Sequence, residues 1–75
     1  MPSIGTANGL AFYVYADDHN PPHVHVYYGE EAVLLAISSG KVIRGEMGKK
    51  QIKQAQAWLS AHRAHAQAEW DRLNP

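Results

Sequence analysis

The chain predicts an α+β fold: a four-stranded antiparallel meander with one long C-terminal helix packed on one face. Three observations carry this expectation. Between residues 10 and 46, apolar and polar residues alternate in short runs, the period of half-buried strands. The runs are separated by turn formers: Asn20-Pro21-Pro22, Gly29-Glu30-Glu31 and Ser38-Ser39-Gly40. After Gly48 the apolar spacing changes to three and four, and no glycine or proline recurs before Pro75.

The first strand spans about 10–16, where Leu10, Phe12 and Val14 alternate with Ala11, Tyr13 and Tyr15. Asn20 precedes a proline and is biased away from helix, and Pro22 has no N–H to give a ladder, so the next segment is a turn. The two prolines stiffen it. The second strand spans about 23–28, the third about 32–37 and the fourth about 41–46. The helix spans about 49–73, with Ile52, Ala55, Leu59, His62, Ala66, Trp70 and Leu73 on its apolar stripe. At about 1.5 Å per residue it is near 37 Å long. Trp58 and Trp70 stand about 120° apart on such a helix. At least one is therefore expected on the sheet with Leu59, while His62 falls at the core edge and His65 is exposed.

Seventy-five residues suit a single domain, residues 1–75. A chain this short buries only about 60% of the surface its unfolded form exposes, so modest stability is expected, with room for a partner to add to it. It has no cysteine, which excludes disulfides and thiolate zinc sites. No run reaches the roughly 18 apolar residues of a membrane span. Met1 to Gly5 lack the basic start and apolar core of a signal peptide, so a cytoplasmic location is expected and no membrane partner. Seven Lys/Arg balance seven Asp/Glu, so net charge gives no general pull towards nucleic acid. The charges are nevertheless segregated, with Lys41, Arg44, Lys49, Lys50 and Lys53 gathered late in the chain.

The strand alternation groups Tyr13, Tyr15, His23, His25 and Tyr27 on the sheet face away from the helix. That face is expected to meet a protein partner or a second copy, with Tyr13, Tyr15 and Tyr27 as its contacts. His23 and His25 are two apart on a strand and point the same way, which suits two imidazoles on one divalent metal. His19 or Asp17 would supply a third ligand from the loop. Alternatively, His19, His23 and His25 with Asp18 form an acid–base group, since imidazole titrates near neutral pH. The plainer reading is that these histidines cap a rigid loop. Lys49, Lys50 and Lys53 sit with the amides of a helix start and form a candidate anion site, or simply a solvated face. No cofactor motif is present: there is no GxGxxG, Walker lysine, nucleophile elbow or HExxH.

The run from Tyr13 to Gly29, with its core Asp18-His19-Asn20-Pro21-Pro22-His23-Val24-His25, resembles the small bacterial family catalogued as domain of unknown function 4160. The resemblance extends through the acidic turn, the basic helix start, Trp58-Leu59, His62-Arg63 and Trp70. Val24 stands where an aromatic is usual, Gly48-Lys49 replaces a usual proline, and the acidic residues often found around Trp58 are missing. The resemblance implies a second small protein encoded nearby, of the family of unknown function 2442, the two forming a toxin–antitoxin module with this chain as the toxin. It marks Asp18, His19, Pro21, Pro22, His23 and His25 as signature positions and implies no catalytic role for them. Three functions are thus in view: the toxin-like member of a two-protein module, a small His-dependent nuclease or metal-dependent hydrolase, and an accessory binding module without activity.

Overall fold

The computed structural model describes residues 3–75, so Met1 and Pro2, part of the segment read above as no signal peptide, lie outside the described residues. Among the described residues the chain forms β1 (Ser3–Ala7), β2 (Leu10–Tyr13), β3 (His23–Tyr28), β4 (Glu31–Ala36), β5 (Val42–Glu46), α1 (Lys49–Ala61) and α2 (Arg63–Leu73). The strands form one antiparallel sheet in chain order. No helix among the described residues is long and apolar enough to cross a membrane.

The α+β class and the meander stand, with two corrections. The sheet has five strands rather than four. Ser3-Ile4-Gly5-Thr6-Ala7 carries one large apolar side chain and so lacks visible alternation, yet it pairs with β2 through the Asn8-Gly9 turn. Both turn residues have positive φ, 52° and 80°, the conformation that two-residue hairpins require and that Asn-Gly adopts most readily.

The second correction is that the single long helix is two. It breaks at His62, whose φ and ψ are −119° and 21°. The His62 N–H is shared between the Leu59 and Trp58 carbonyls, and its Nδ1–H donates to Trp58 as well, at 2.8 Å. Such insertion of a side chain into the helical ladder bends helices without proline. Arg63 secures the bend by donating from Nε to the Ile37 carbonyl, 2.7 Å away, just past β4. His62 is therefore exposed and stacked on Trp58, not set at the core edge.

The break resolves the problem posed by two tryptophans on different sides of a straight helix. Trp58 stacks face to face on Phe12, ring centroids 4.0 Å apart, and Trp70 is buried against His23 at the far end of the sheet. The core between sheet and helices consists of Leu10, Phe12, Val14, Val24, Val26, Val33, Leu35 and Ile37 from the sheet side, met by Ala55, Leu59 and Ala66. Gly5 lies beneath Trp58, where an added Cβ would come within 2.5 Å of the indole ring. Gly5→Ala is therefore expected to lower stability by about 1–3 kcal/mol through overpacking. Chemical denaturation checks this, and unchanged stability would show that Trp58 does not hold its place on Phe12.

Candidate functional site

The loop between β2 and β3 is shaped by its own sequence. Asp17 takes a φ of 56°, which Asp tolerates better than most residues, and the Asn20–Pro21 peptide is cis. The Ile37 N–H donates to the Pro22 carbonyl at 3.0 Å, tying the loop to the end of β4. Immediately afterwards β3 begins, and its alternation sends His23 and His25 to the same side.

Their imidazoles converge on one oxygen. The Nε2 atoms of His23 and His25 each lie 3.0 Å from Asp18 Oδ2. The other carboxylate oxygen accepts the His19 N–H at 3.0 Å. Asp18 is itself held from the C-terminus. Its N–H donates to Asn74 Oδ1 at 2.9 Å, while Asn74 Nδ2 donates to the carbonyls of Tyr15 and Trp70. The carboxylate thus meets two imidazole nitrogens and one backbone N–H, and rides on a backbone clamped by the residue that caps α2.

Burial pushes the Asp18 carboxyl up. The hydrogen bonds from His25 and the His19 N–H, with the charges of His23 and His25, outweigh that and leave it below the ordinary aspartate value. Beside it, Tyr15 and Tyr27 share a hydrogen bond between hydroxyls, 3.1 Å long. Burial, that bond and the neighbouring Tyr27, Tyr13 and Asp18 push the Tyr15 hydroxyl up to about 12. Tyr15 therefore stays protonated near neutral pH, and its ring stands edge-on to His25.

The proton arrangement at His23 is informative. Its Nδ1–H donates to the Pro21 carbonyl at 2.8 Å, while Nε2 faces a carboxylate. A neutral imidazole has only one N–H. An imidazolium satisfies both contacts. So does a neutral ring with its proton on Nδ1 and a cation at Nε2, the arrangement in which a backbone carbonyl fixes the tautomer of a metal-binding histidine. One atom each from Asp18, His23 and His25 lies within 4.8 Å of the others. Two ligands about 2.1 Å from a tetrahedral metal are themselves about 3.4 Å apart, so each imidazole nitrogen, 3.0 Å from Asp18 Oδ2, would separate from it by a few tenths of an ångström to admit one.

A cleft of about 350 Å³ opens over this group, with His19 and Pro21 on one wall and Leu34, Ile43 and Arg44 on the other. The structure thus joins Asp18, His23 and His25, and sets Tyr15 and Tyr27 beside them with Tyr13 edge-on to Tyr27. It corrects the third ligand: Asp18, not Asp17 or His19, completes the trio, because Asp17 turns the chain and lines a neighbouring hollow with Trp70 and Asn74. His19 is exposed at the cleft wall, joined to Asp18 through its backbone only. His23 is also not left facing water or a partner. Its side chain is 5% exposed, because Trp70 covers it. Lys49, Lys50 and Lys53 are exposed on the first turns of α1 and line none of the hollows around the histidines.

Two residues escaped the reading of the sequence. Asn74 falls just past the expected helix of 49–73, and Arg44 is one of several late basic residues. A helix-terminal Asn is a capping residue, and here it caps a distant loop as well.

A family model described as Domain of unknown function (DUF4160) matches residues 9–71, most of the chain, and the chain belongs to that family. No curated protein and no solved structure matches it.

Because the folded state lowers the Asp18 value, its stabilising contribution is complete above the ordinary 3.8 and is lost as pH falls through the lower folded value. Asp18→Asn is accordingly expected to reduce the melting temperature at neutral pH, with the deficit closing in acid below that range. Thermal melts of both proteins across pH check this, and a deficit independent of pH would contradict it.

Proposed function

We propose that this DUF4160 protein is a small metal-dependent hydrolase whose centre is Asp18, His23 and His25, and that this activity makes it the toxic member of a two-protein module. The observation that carries the reading is the convergence of two imidazole nitrogens and one carboxylate oxygen, with His23 Nδ1–H already committed to Pro21. Two histidines and a carboxylate, with remaining positions open to a cleft, form a donor set suited to zinc or another imidazole-favouring divalent ion. Such an ion supplies one thing when bound: it acidifies a coordinated water so that hydroxide is present near neutral pH.

The rest falls to the chain. Asp18 contributes the negative charge. Pro21 orients His23, and Trp70 keeps water from its ring. His19 lines the same cleft, and its ring has no hydrogen-bond partner among the described residues. It is the group placed to give a proton to the leaving group. The place in a two-protein module rests on the pairing that family resemblance implies. The cluster of Tyr13, Tyr15 and Tyr27 on the sheet face away from the core offers the aromatic surface on which a small partner would sit.

Calorimetric titration of zinc into the purified protein is the test. One ion per chain is expected, with the His23→Gln/His25→Gln variant still folded by circular dichroism and weakened by at least about 100-fold, since loss of mere supporting contacts already costs about 10–100-fold. Equal zinc binding by the variant, or none by the wild type, would sink the metal centre. Expression of the two proteins without the partner, scored for growth, tests the toxic role: only the variant should be harmless.

A further inference from the structure

The far wall of the cleft carries information of its own. His25 pairs with Leu34 across β3 and β4, and Leu34 pairs with Arg44 across β4 and β5. The three residues form a row on one face of the sheet, with His25 and Arg44 two strand spacings, about 10 Å, apart at the backbone. An arginine side chain bridges much of that distance.

The register of β5 is interrupted here. Leu34 pairs with Arg44, but Leu35 pairs with Val42, leaving Ile43 as an extra residue in a bulge. In a regular strand Ile43 and Arg44 would point to opposite faces. The bulge re-aims the chain so that both line the cleft. Gly45 follows with φ of 92°, where a Cβ would collide with the Ala32 carbonyl, so close approach of β5 to β4 needs glycine there. Arg44 makes no ion pair among the described residues.

Arg44 also lines a second hollow, of about 320 Å³, shared with His25, Leu34, Ala32 and Gly45. The two hollows share His25, Leu34 and Arg44 in their lining and so adjoin along this row of the sheet. One side holds Asp18, His23 and His25; the other is largely apolar.

We propose that Arg44 is the anion anchor of this trough and that the substrate is a phosphodiester, bound with its phosphate between Arg44 and the His25 side of the metal centre and with one substituent in each hollow. This rests on the metal-dependent reading above. Amides and carboxylic esters carry no charge at the bond to be cut and leave a guanidinium without a partner. A phosphodiester carries one negative charge, which a planar guanidinium binds through two parallel N–H donors. A phosphomonoester or a terminal carboxylate fills only one side of the trough. In hydrolysis the water oxygen forms a bond to phosphorus and the ester P–O bond on the other side breaks. His19 gives a proton to the departing alkoxide and regains one from solvent, and the attacking water gives up its proton to solvent, giving a phosphomonoester and an alcohol.

The test measures binding of diethyl phosphate and of neutral triethyl phosphate to the zinc-loaded protein, followed by NMR. Wild type is expected to prefer the diester. Arg44→Gln should weaken diester binding by about tenfold to a hundredfold and abolish the preference, and Arg44→Lys should fall between. Zinc affinity, measured without ligand, should be unchanged in both variants. Wild-type diester affinity in Arg44→Gln, or no preference for the charged ester in wild type, would overturn the anchor while leaving the metal centre intact. A wild type that takes up no zinc would overturn both. Stronger binding of acetate than of diethyl phosphate would transfer the site to carboxylates and overturn the phosphodiester assignment.

Discussion

A single carboxylate organises the functional half of this protein. The Nε2 atoms of His23 and His25 both lie 3.0 Å from the Asp18 carboxylate, the His19 N–H donates to it, and the Asp18 N–H is held by Asn74. Four parts of the chain meet there: the β2–β3 loop, strand β3, the end of α2 and, through Tyr15, the exit of β2. The carboxylate side chain is only 18% exposed, and a charge so placed is costly unless paired and hydrogen-bonded. Charge-assisted bonds to both imidazoles meet that cost, and among the described residues no buried side-chain polar atom is left without a partner. The arrangement is therefore satisfied internally as a loop anchor, and its convergence is what supports the proposed ligand set.

The sheet supplies what the loop cannot. Alternation along β3 aims the two imidazoles alike, and the β3–β4 register sets Leu34 and Ala36, neither of them polar, across from them. The bulge in β5 turns Arg44 towards the same space. Trp70, delivered by the break at His62, closes the rear of His23. The break is thus part of the site as well as of the core: in an uninterrupted helix the two tryptophans diverge by about 120°.

Much of this was readable from residue order, and the failures have physical causes. Strand β3 alternates and β4 is a short apolar run between turn formers, and both lie within a residue of their expected bounds. The gathering of Tyr13, Tyr27 and His25 on one face followed from that alternation. Strand β1 shows no alternation because its residues are mostly small, although Asn8-Gly9 is a usable hairpin signal. The helix break has no glycine or proline to announce it, since it is held by the tertiary bond from Arg63 to Ile37. Adjacent Asp17 and Asp18 are indistinguishable by type, and only the turn decides which one faces the histidines. Asn74 and Arg44 act across 56 residues of chain and across a bulge, respectively, and neither relation has a local pattern.

The central claim is that His23 and His25 present their Nε2 atoms to a common cation, with His23 held in the Nδ1–H form by Pro21. Long-range nitrogen–proton correlation NMR of the imidazole rings, recorded as zinc is added, reads this directly. The account predicts that the Nε2 resonances of His23 and His25 shift together at one equivalent of zinc, while His23 Nδ1 remains protonated and the His62 and His65 rings are unmoved. Unchanged Nε2 resonances at both residues, or a zinc-induced shift at His23 Nδ1 instead, would contradict it.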